Sequence, residues 1–268
     1  MGIDIIEKTY KKLAIQVSLN GLSFCCFDTF TGNPTHFKTI RFDNFQKNIK
    51  IEELFLKVFN ENLSLTEKYD EIVVIHSNNL STFVPTALFD EEFMGSYLQY
   101  NTKVFDTDFF AFDALENYQM NNVYIPYVNM NNFFIDRFGT FNYTHSSTIL
   151  VSKLLAISNN DDDKKMFVHL SKGHFEIVVV QNRKLILYNT FEYETPEDFI
   201  YYILFTAEQL QLNPENFKLE LLGLIDETNE FFKIAFKYIR NCSIFVEDKK
   251  FENFNENQIR EHFILLHS

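Results

Sequence analysis

The stretch MFVHLSKGHFEIVVVQNRKLILYNTFEYETPEDFIYYILF, which spans Met166–Phe205, decides the fold of this chain. Its first two apolar runs are Phe167–Leu170 and Phe175–Val180, and the short turn Lys172-Gly173 lies between them. Two apolar runs joined by a glycine-containing turn are typical of an antiparallel hairpin. A third run, Leu185–Tyr188, predicts that another strand extends the same sheet.

A helix is predicted directly after the third strand. Thr195 is a good N-cap, Pro196 suits the first helical position, and the two acids that follow favour the helix N-terminus. Its apolar positions follow helical spacing: Phe199, Ile200, Ile203, Leu204, Ala207 and Leu210. A buried strand, a second helix and a last strand are predicted at Leu219–Leu224, Phe231–Ile239 and Cys242–Val246.

The first half of the chain repeats this order. Hairpin, third strand, helix, strand and helix are predicted at Leu13–Phe27, His36–Phe42, Ile51–Phe59, Ile72–Ile75 and from Asp90 onwards. The spacing between equivalent elements is 154 residues from Leu13 to Phe167 and 148 from Val73 to Leu221. It drops to 136 residues between Asp90 and Asp226, which we attribute to an extra segment, Ser81–Phe89. The ordered series predicts an internal duplication.

The boundary between the two copies is expected within about residues 135–165, which gives a first lobe at 1–140 and a second at 141–268. The connecting region alternates Phe and Asp over Phe105–Asp113, which predicts a strand with Asp106, Asp108 and Asp113 on a solvated face. FNYTHSSTILVSKLLAIS then predicts a strand, a Ser cap and a helix. The tail, Asn253–Ser268, is interpreted as a final helix or an edge strand.

Composition restricts the classes of function. A net charge of −13 argues against nucleic-acid binding, which begins with basic surface. No apolar stretch approaches the ~20 residues of a membrane span. Three Cys, two of them adjacent at Cys25 and Cys26, do not make a disulfide framework. These features favour a cytoplasmic protein.

Two consecutive units of three antiparallel strands, helix, strand, helix and strand resemble the ribonuclease H-like folds. Duplicated, they resemble the actin-like ATPase superfamily. LYNTFEYETPEDFIYYILFTAEQL, LELLGLIDET and FNYTHSSTILVSKLL look like segments of an uncharacterised bacterial family with an actin-like ATPase fold, a domain-of-unknown-function family. The resemblance implies an α/β protein with duplicated ribonuclease H-like units, built from mixed five-stranded sheets with helices on their faces.

This resemblance also implies where a nucleotide would bind. The superfamily's phosphate loops are the two hairpin turns, which carry an Asp for Mg²⁺ and a Gly for close backbone approach. Here the turns keep the glycines, Gly21 and Gly173, but have Asn20 and Lys172 instead of the acid. The adenine-side loop keeps only Gly223. We therefore predict no catalytic residue, no metal and no cofactor, because the loops do not support ATP with Mg²⁺.

The remaining candidate ligand-binding residues are Asn20, Gly21, Ser171, Lys172, Gly173 and Gly223. His169 and His174 flank the second turn, but no Cys or carboxylate is recognised at ligand spacing, so the sequence favours a plain strand pair. His145 and Ser147 suggest a base beside a nucleophile. A helix cap by Ser146 or Ser147 is the preferred interpretation, since no third orienting group is evident.

Beside a purely structural subunit, which needs no ligand, two functions stay open. The first is a non-catalytic module that binds a protein partner or assembles with itself, and that binds no nucleic acid and spans no membrane. The alternative is an ATPase-like enzyme or switch that binds a nucleotide or another phosphorylated ligand in a cleft between the lobes.

Overall fold

The computed structural model describes residues 8–42, 49–248, 251 and 254–268. The chain divides into two compact units. The first consists of Met1–Ile149 and Ile264–Ser268, and the second of Leu150–Phe263. The last five residues therefore belong with the N-terminal half of the sequence.

Among its described residues, the first unit contains eight strands, three α-helices, the start of a fourth and all but the first residue of the C-terminal α-helix. The strands are β1 (Lys11–Ser18), β2 (Gly21–Asp28), β3 (Pro34–Arg41), β4 (Glu71–His76), β5 (Ser81–Pro85), β6 (Ala111–Leu115), β7 (Met120–Tyr124) and β8 (Asn142–His145). The helices are α1 (Ile51–Glu61), α2 (Met94–Leu98), α3 (Val128–Phe138) and α4 (Ser146–Ile157).

The second unit is shorter because its sheet carries no insertion. Its strands are β9 (Lys165–Leu170), β10 (His174–Gln181), β11 (Lys184–Glu192), β12 (Lys218–Gly223) and β13 (Asn241–Ile244). Its helices are α5 (Pro196–Gln209), α6 (Glu230–Tyr238) and α7 (Glu256–Glu261). The helix α8 (Phe263–Leu266) follows and, apart from Phe263, belongs to the first unit. The tail is helical, as the first of the two interpretations expected.

Both units contain a five-stranded mixed sheet of one topology. The strand order is β3-β2-β1-β4-β8 in the first and β11-β10-β9-β12-β13 in the second. In each, the hairpin and its third strand are antiparallel, and the two later strands run parallel to the first. The predicted duplicated architecture is confirmed.

One equivalence in the predicted duplication is wrong. The helix that corresponds to α6 is α3, not the short helix that Asp90 caps, because α3 leads into β8 and β8 pairs with β4 as β13 pairs with β12. The spacing between equivalent elements changes because the first unit has an insertion that is much longer than Ser81–Phe89. This insertion holds a separate antiparallel sheet of order β5-β7-β6.

Aromatic side chains build the cores. In the first unit, α1 buries Leu54, Phe55, Val58 and Phe59. The ring of Phe55 meets those of Phe133 and Phe134 on α3 at centroid distances of 5.6 Å. Each buried Phe contributes about 1.5–3 kcal/mol before conformational entropy is subtracted. The apolar stripe of α1 is therefore the face that packs into the core, where it meets α3.

Local sequence signals define the helix of the opening stretch. Thr195 Oγ1 accepts a hydrogen bond from the Asp198 amide, and the Asp198 carboxylate accepts one from the Thr195 amide. This reciprocal pair satisfies two amides that have no partner within the helix. α5 then buries Phe199, Ile200, Ile203 and Ala207 as predicted. None of the described helices is long and apolar enough to cross a membrane.

Candidate functional site

The first hairpin turn places Asn20 and Gly21 at the end of β1 and the start of β2. The Asn20 amide donates to Ser18 Oγ at 3.2 Å, and the Asn20 carbonyl accepts from the Phe42 amide at 2.9 Å. A Cβ on Gly21 would lie 2.4 Å from the carbonyl oxygen of Ile40 in β3. The neighbouring strand alone therefore explains why glycine is needed here.

The second hairpin turn joins β9 to β10 and carries Ser171, Lys172 and Gly173. The Ser171 amide donates to the His174 carbonyl at 3.0 Å, and Tyr193 Oη donates to the Ser171 carbonyl at 2.7 Å. Lys172 and Gly173 are exposed. Gly173 has φ +82°, and no atom lies within 4 Å of where its Cβ would be. This turn is open on its outer side.

Gly223, at the end of β12, lies against the residue that precedes this turn. Its φ is +90°, and a Cβ would lie 2.3 Å from the Leu170 carbonyl oxygen. The Leu224 amide donates to that same oxygen at 2.8 Å. The structure thus brings Ser171, Lys172, Gly173 and Gly223 to one end of the second sheet. Asn20 and Gly21 lie in the other unit.

A cluster of two histidines and a buried carboxylate lies directly behind the second turn. His169 Nδ1 is 2.9 Å from Glu176 Oε2, and His174 Nε2 is 3.7 Å from Glu176 Oε1. His169 and Glu176 are 6% and 5% exposed, so this pair is shielded from water. The expectation that no carboxylate accompanies these histidines was wrong. The signal was available, because a turn at Lys172-Gly173 sets Glu176 opposite His169 in the hairpin.

Burial, charges and hydrogen bonds within this cluster shift the pKa values of Glu176 and His174. Burial alone would raise the pKa of Glu176, but the charge and hydrogen bond of His169, together with His174, hold it far below its ordinary value. Burial lowers the pKa of His174, but the hydrogen bond and charge of Glu176 outweigh that effect and raise it. Among the described residues, no three His, Cys, Asp or Glu side chains are arranged to hold a metal ion.

The Phe–Asp alternation of the connecting region does not form the predicted strand. Phe105 and Phe109 are both 53% exposed, and β6 begins only at Ala111. Asp113 is the acid that turns inward. Its carboxylate accepts hydrogen bonds from Tyr124 Oη, Thr144 Oγ1, the His145 amide and Thr148 Oγ1. Burial raises its pKa although all four donors favour the charged form.

His145 and Ser147 contact each other. Ser147 lies in the first turn of α4 rather than on a strand, and its Oγ is 2.7 Å from His145 Nδ1. The Ser147 amide also donates to Nδ1, at 3.2 Å. His145, not either serine, therefore caps the helix. Since Nδ1 accepts, the ring proton is assigned to Nε2, which lies 3.2 Å from Asn78 Oδ1.

This serine, histidine and asparagine have the order of a catalytic triad in a closed environment. The Ser147 hydroxyl accepts from Asn122 Nδ2 at 2.9 Å and lies 3.1 Å from Ser81 Oγ. Ser147 is 1% exposed and His145 is fully buried. A substrate carbonyl cannot approach a hydroxyl held in this way, so the geometry supports a helix-capping network.

Similarity to known proteins places the chain in a family. Residues 2–242 match the family described as a protein of unknown function, DUF3822. The chain belongs to that family. No curated protein sequence matches it.

Solved structures show the same fold for this DUF3822 chain. A Bacteroides thetaiotaomicron VPI-5482 protein with an actin-like ATPase fold and unknown function is 22% identical, with a TM-score of 0.83 and 99% of each chain covered. A chain of the PilM-PilN type IV pilus biogenesis complex is 11% identical, with a TM-score of 0.56 and 97% of each chain covered. The predicted family and fold are both confirmed.

Proposed function

We propose that this DUF3822 protein is a non-catalytic binding module that acts through a protein partner in the cytoplasm. The observation that carries the proposal is the chemistry around the second hairpin turn. By the resemblance to actin-like ATPases, Lys172 stands where an acid would hold Mg²⁺, and the carboxylate of Glu176, behind the turn, is already bonded to His169.

The charges at the two turns disfavour a bound Mg²⁺. Mg²⁺ is held in nucleotide sites by one or two carboxylates and by the phosphates. An exposed ammonium group at the turn repels the ion, and Asn20 in the first turn offers only an amide. Releasing Glu176 would leave His169 without its acceptor in a buried position, which is costly. Neither turn therefore has a carboxylate to give.

Two further observations support partner binding. One structural neighbour, of the same fold at 11% identity, is part of a complex of PilM with PilN. This chain also exposes large apolar side chains, among them Leu88 and Tyr100 of the insertion in the first unit. The cytoplasmic setting is supported by the three cysteines, which are buried free thiols.

Isothermal titration with ATP and Mg²⁺ tests the proposal. We expect no saturable binding up to millimolar nucleotide. Mg²⁺-dependent binding with a Kd below about 10 μM, which corresponds to about 7 kcal/mol, contradicts the proposal. The matched control is the double variant Asn20→Asp, Lys172→Asp, in which any gain of Mg²⁺-dependent binding would identify the missing acids as the cause.

A second candidate function rests on the openness of the turn at Lys172. An exposed ammonium beside a glycine with free space above it suits a phosphate group. In that case Lys172→Ala weakens the binding of a phosphorylated ligand by about tenfold or more, through the loss of one charge-assisted contact. Lys184→Ala, on the exposed start of β11, is the control. Equal affinity in wild type and Lys172→Ala removes Lys172 from this function.

A further inference from the structure

The insertion in the first unit presents an unusual concentration of exposed apolar side chains, which we call the insert surface. Five large apolar residues within 22 positions are more than half exposed: Leu88 (70%), Phe93 (55%), Tyr100 (91%), Phe105 (53%) and Phe109 (53%). Single exposed apolar residues are normal on proteins, but a group rimmed by polar residues marks an interaction site.

Defined contacts hold the segments that carry these side chains. Tyr97 Oη donates to the Leu88 carbonyl at 2.7 Å and accepts from the Asp90 amide at 2.9 Å. The Phe110 ring packs so closely on α2 that a Cβ on Gly95 would lie 3.1 Å from it. These contacts tie the segments at Leu88, Asp90, Gly95, Tyr97 and Phe110 into one small substructure.

Acidic residues adjoin the exposed apolar ones along the chain, and we call them the acidic rim. Residues 86–110 contain five acids, Asp90, Glu91, Glu92, Asp106 and Asp108, and one base, Lys103, a net charge of −4. Lys103 Nζ lies 4.9 Å from the centre of the Phe105 ring. A cation over an aromatic face is favourable. The insert surface thus combines aromatic faces with carboxylates, both of which attract ammonium and guanidinium groups.

We infer that the insert surface binds a segment of a partner protein in which basic side chains alternate with apolar ones. The inference rests on the proposed binding function and gives its partner a chemistry. Apolar side chains of the segment cover the exposed rings, and its Lys or Arg side chains meet the acidic rim. A second copy of this chain does not fit, because two surfaces of charge −4 repel each other.

Fluorescence anisotropy with a labelled synthetic Leu–Lys peptide tests the inference. We expect saturable binding that weakens as salt rises, since the charges lie at the surface. The double variant Phe93→Ser, Phe109→Ser should lower the affinity at least about tenfold, which equals about 1.4 kcal/mol. The control variant Tyr201→Ser, Phe205→Ser removes two exposed rings of the second unit and should bind as wild type does.

Three results would overturn the inference. The first is that the Phe93, Phe109 variant binds the peptide as tightly as wild type does. The second is that the Tyr201, Phe205 variant loses as much affinity as the Phe93, Phe109 variant. The third is that a Leu–Glu peptide binds as tightly as the Leu–Lys peptide. A dimer in sedimentation that dissociates in the Phe93, Phe109 variant would assign the surface to a second copy instead. Nucleotide titration on the same protein keeps the two proposals apart, because ATP binding contradicts the non-catalytic proposal whatever the peptide does.

Discussion

Replacement of Gly223 by Ala should destabilise the second unit more than any other glycine substitution there. At φ +90° a Cβ costs roughly 1–2 kcal/mol in backbone strain alone. The new Cβ would also start 2.3 Å from the Leu170 carbonyl oxygen, so β12 must move about 1 Å away from β9.

That movement removes a specific interaction. The Leu224 amide donates to the same Leu170 oxygen at 2.8 Å, and losing this bond while its groups stay buried costs about 1–3 kcal/mol. The total is roughly 2–5 kcal/mol. Gly173→Ala is the matched control, because it has φ +82° in the same unit with no atom within 4 Å of the new Cβ. It should cost only the strain, about 1–2 kcal/mol.

Urea denaturation of the two variants, followed by circular dichroism, measures the difference. Gly223→Ala should be less stable than Gly173→Ala by about 1–3 kcal/mol, equivalent to a melting temperature about 2–12 °C lower. A difference below about 1 kcal/mol refutes the reasoning, since the clash with Leu170 would then be relieved without loss.

Two further predictions concern buried acids. Glu176→Gln should cost roughly 1.5–3 kcal/mol, because it replaces a charged acceptor between two histidines. It should also flatten the pH dependence of stability. In wild type, the raised pKa of His174 contributes stability that is fully present below pH 6.5, and this contribution is lost as the pH rises through the pKa of His174 in the folded protein. Asp113→Asn should cost about 1–3 kcal/mol, because an amide group would face donors where the carboxylate now accepts four hydrogen bonds. Thermal melts of each variant from pH 5 to about 9 check both, and a Glu176→Gln profile parallel to wild type would contradict the first.

Local signals in the sequence predicted most of the fold. The hairpins, the stripe of α1 and the cap at Thr195 depend on residues a few positions apart, and all were predicted close to their observed bounds. The helix after Asp90 was also predicted, but its place in the duplication was wrong. An apolar stripe shows which face of a helix is buried but not which sheet covers it. The pattern alone therefore could not tell whether α2 or α3 corresponds to α6.

The polar networks depended on long-range pairing and were missed. Asp113 lies in β6, and its donors come from β7, β8 and α4, which only the folded chain brings together. Likewise, Asn78 reaches His145 from 67 residues away. Glu176 is the exception, since its place opposite His169 follows from the turn. The candidate residues of the hairpin turns stay a prediction, as no ligand contact tests them.

The first unit is built from two separate parts of the chain, which are synthesised at different times. Its N-terminal part, Met1–Ile149, leaves the ribosome long before Ile264–Ser268, which complete it. Leu265 is fully buried and Lys12 Nζ donates to the Ser268 carbonyl at 3.0 Å. Domains commonly fold in sequence as they emerge. Here the first unit lacks its last segment until the whole of the second unit has been translated.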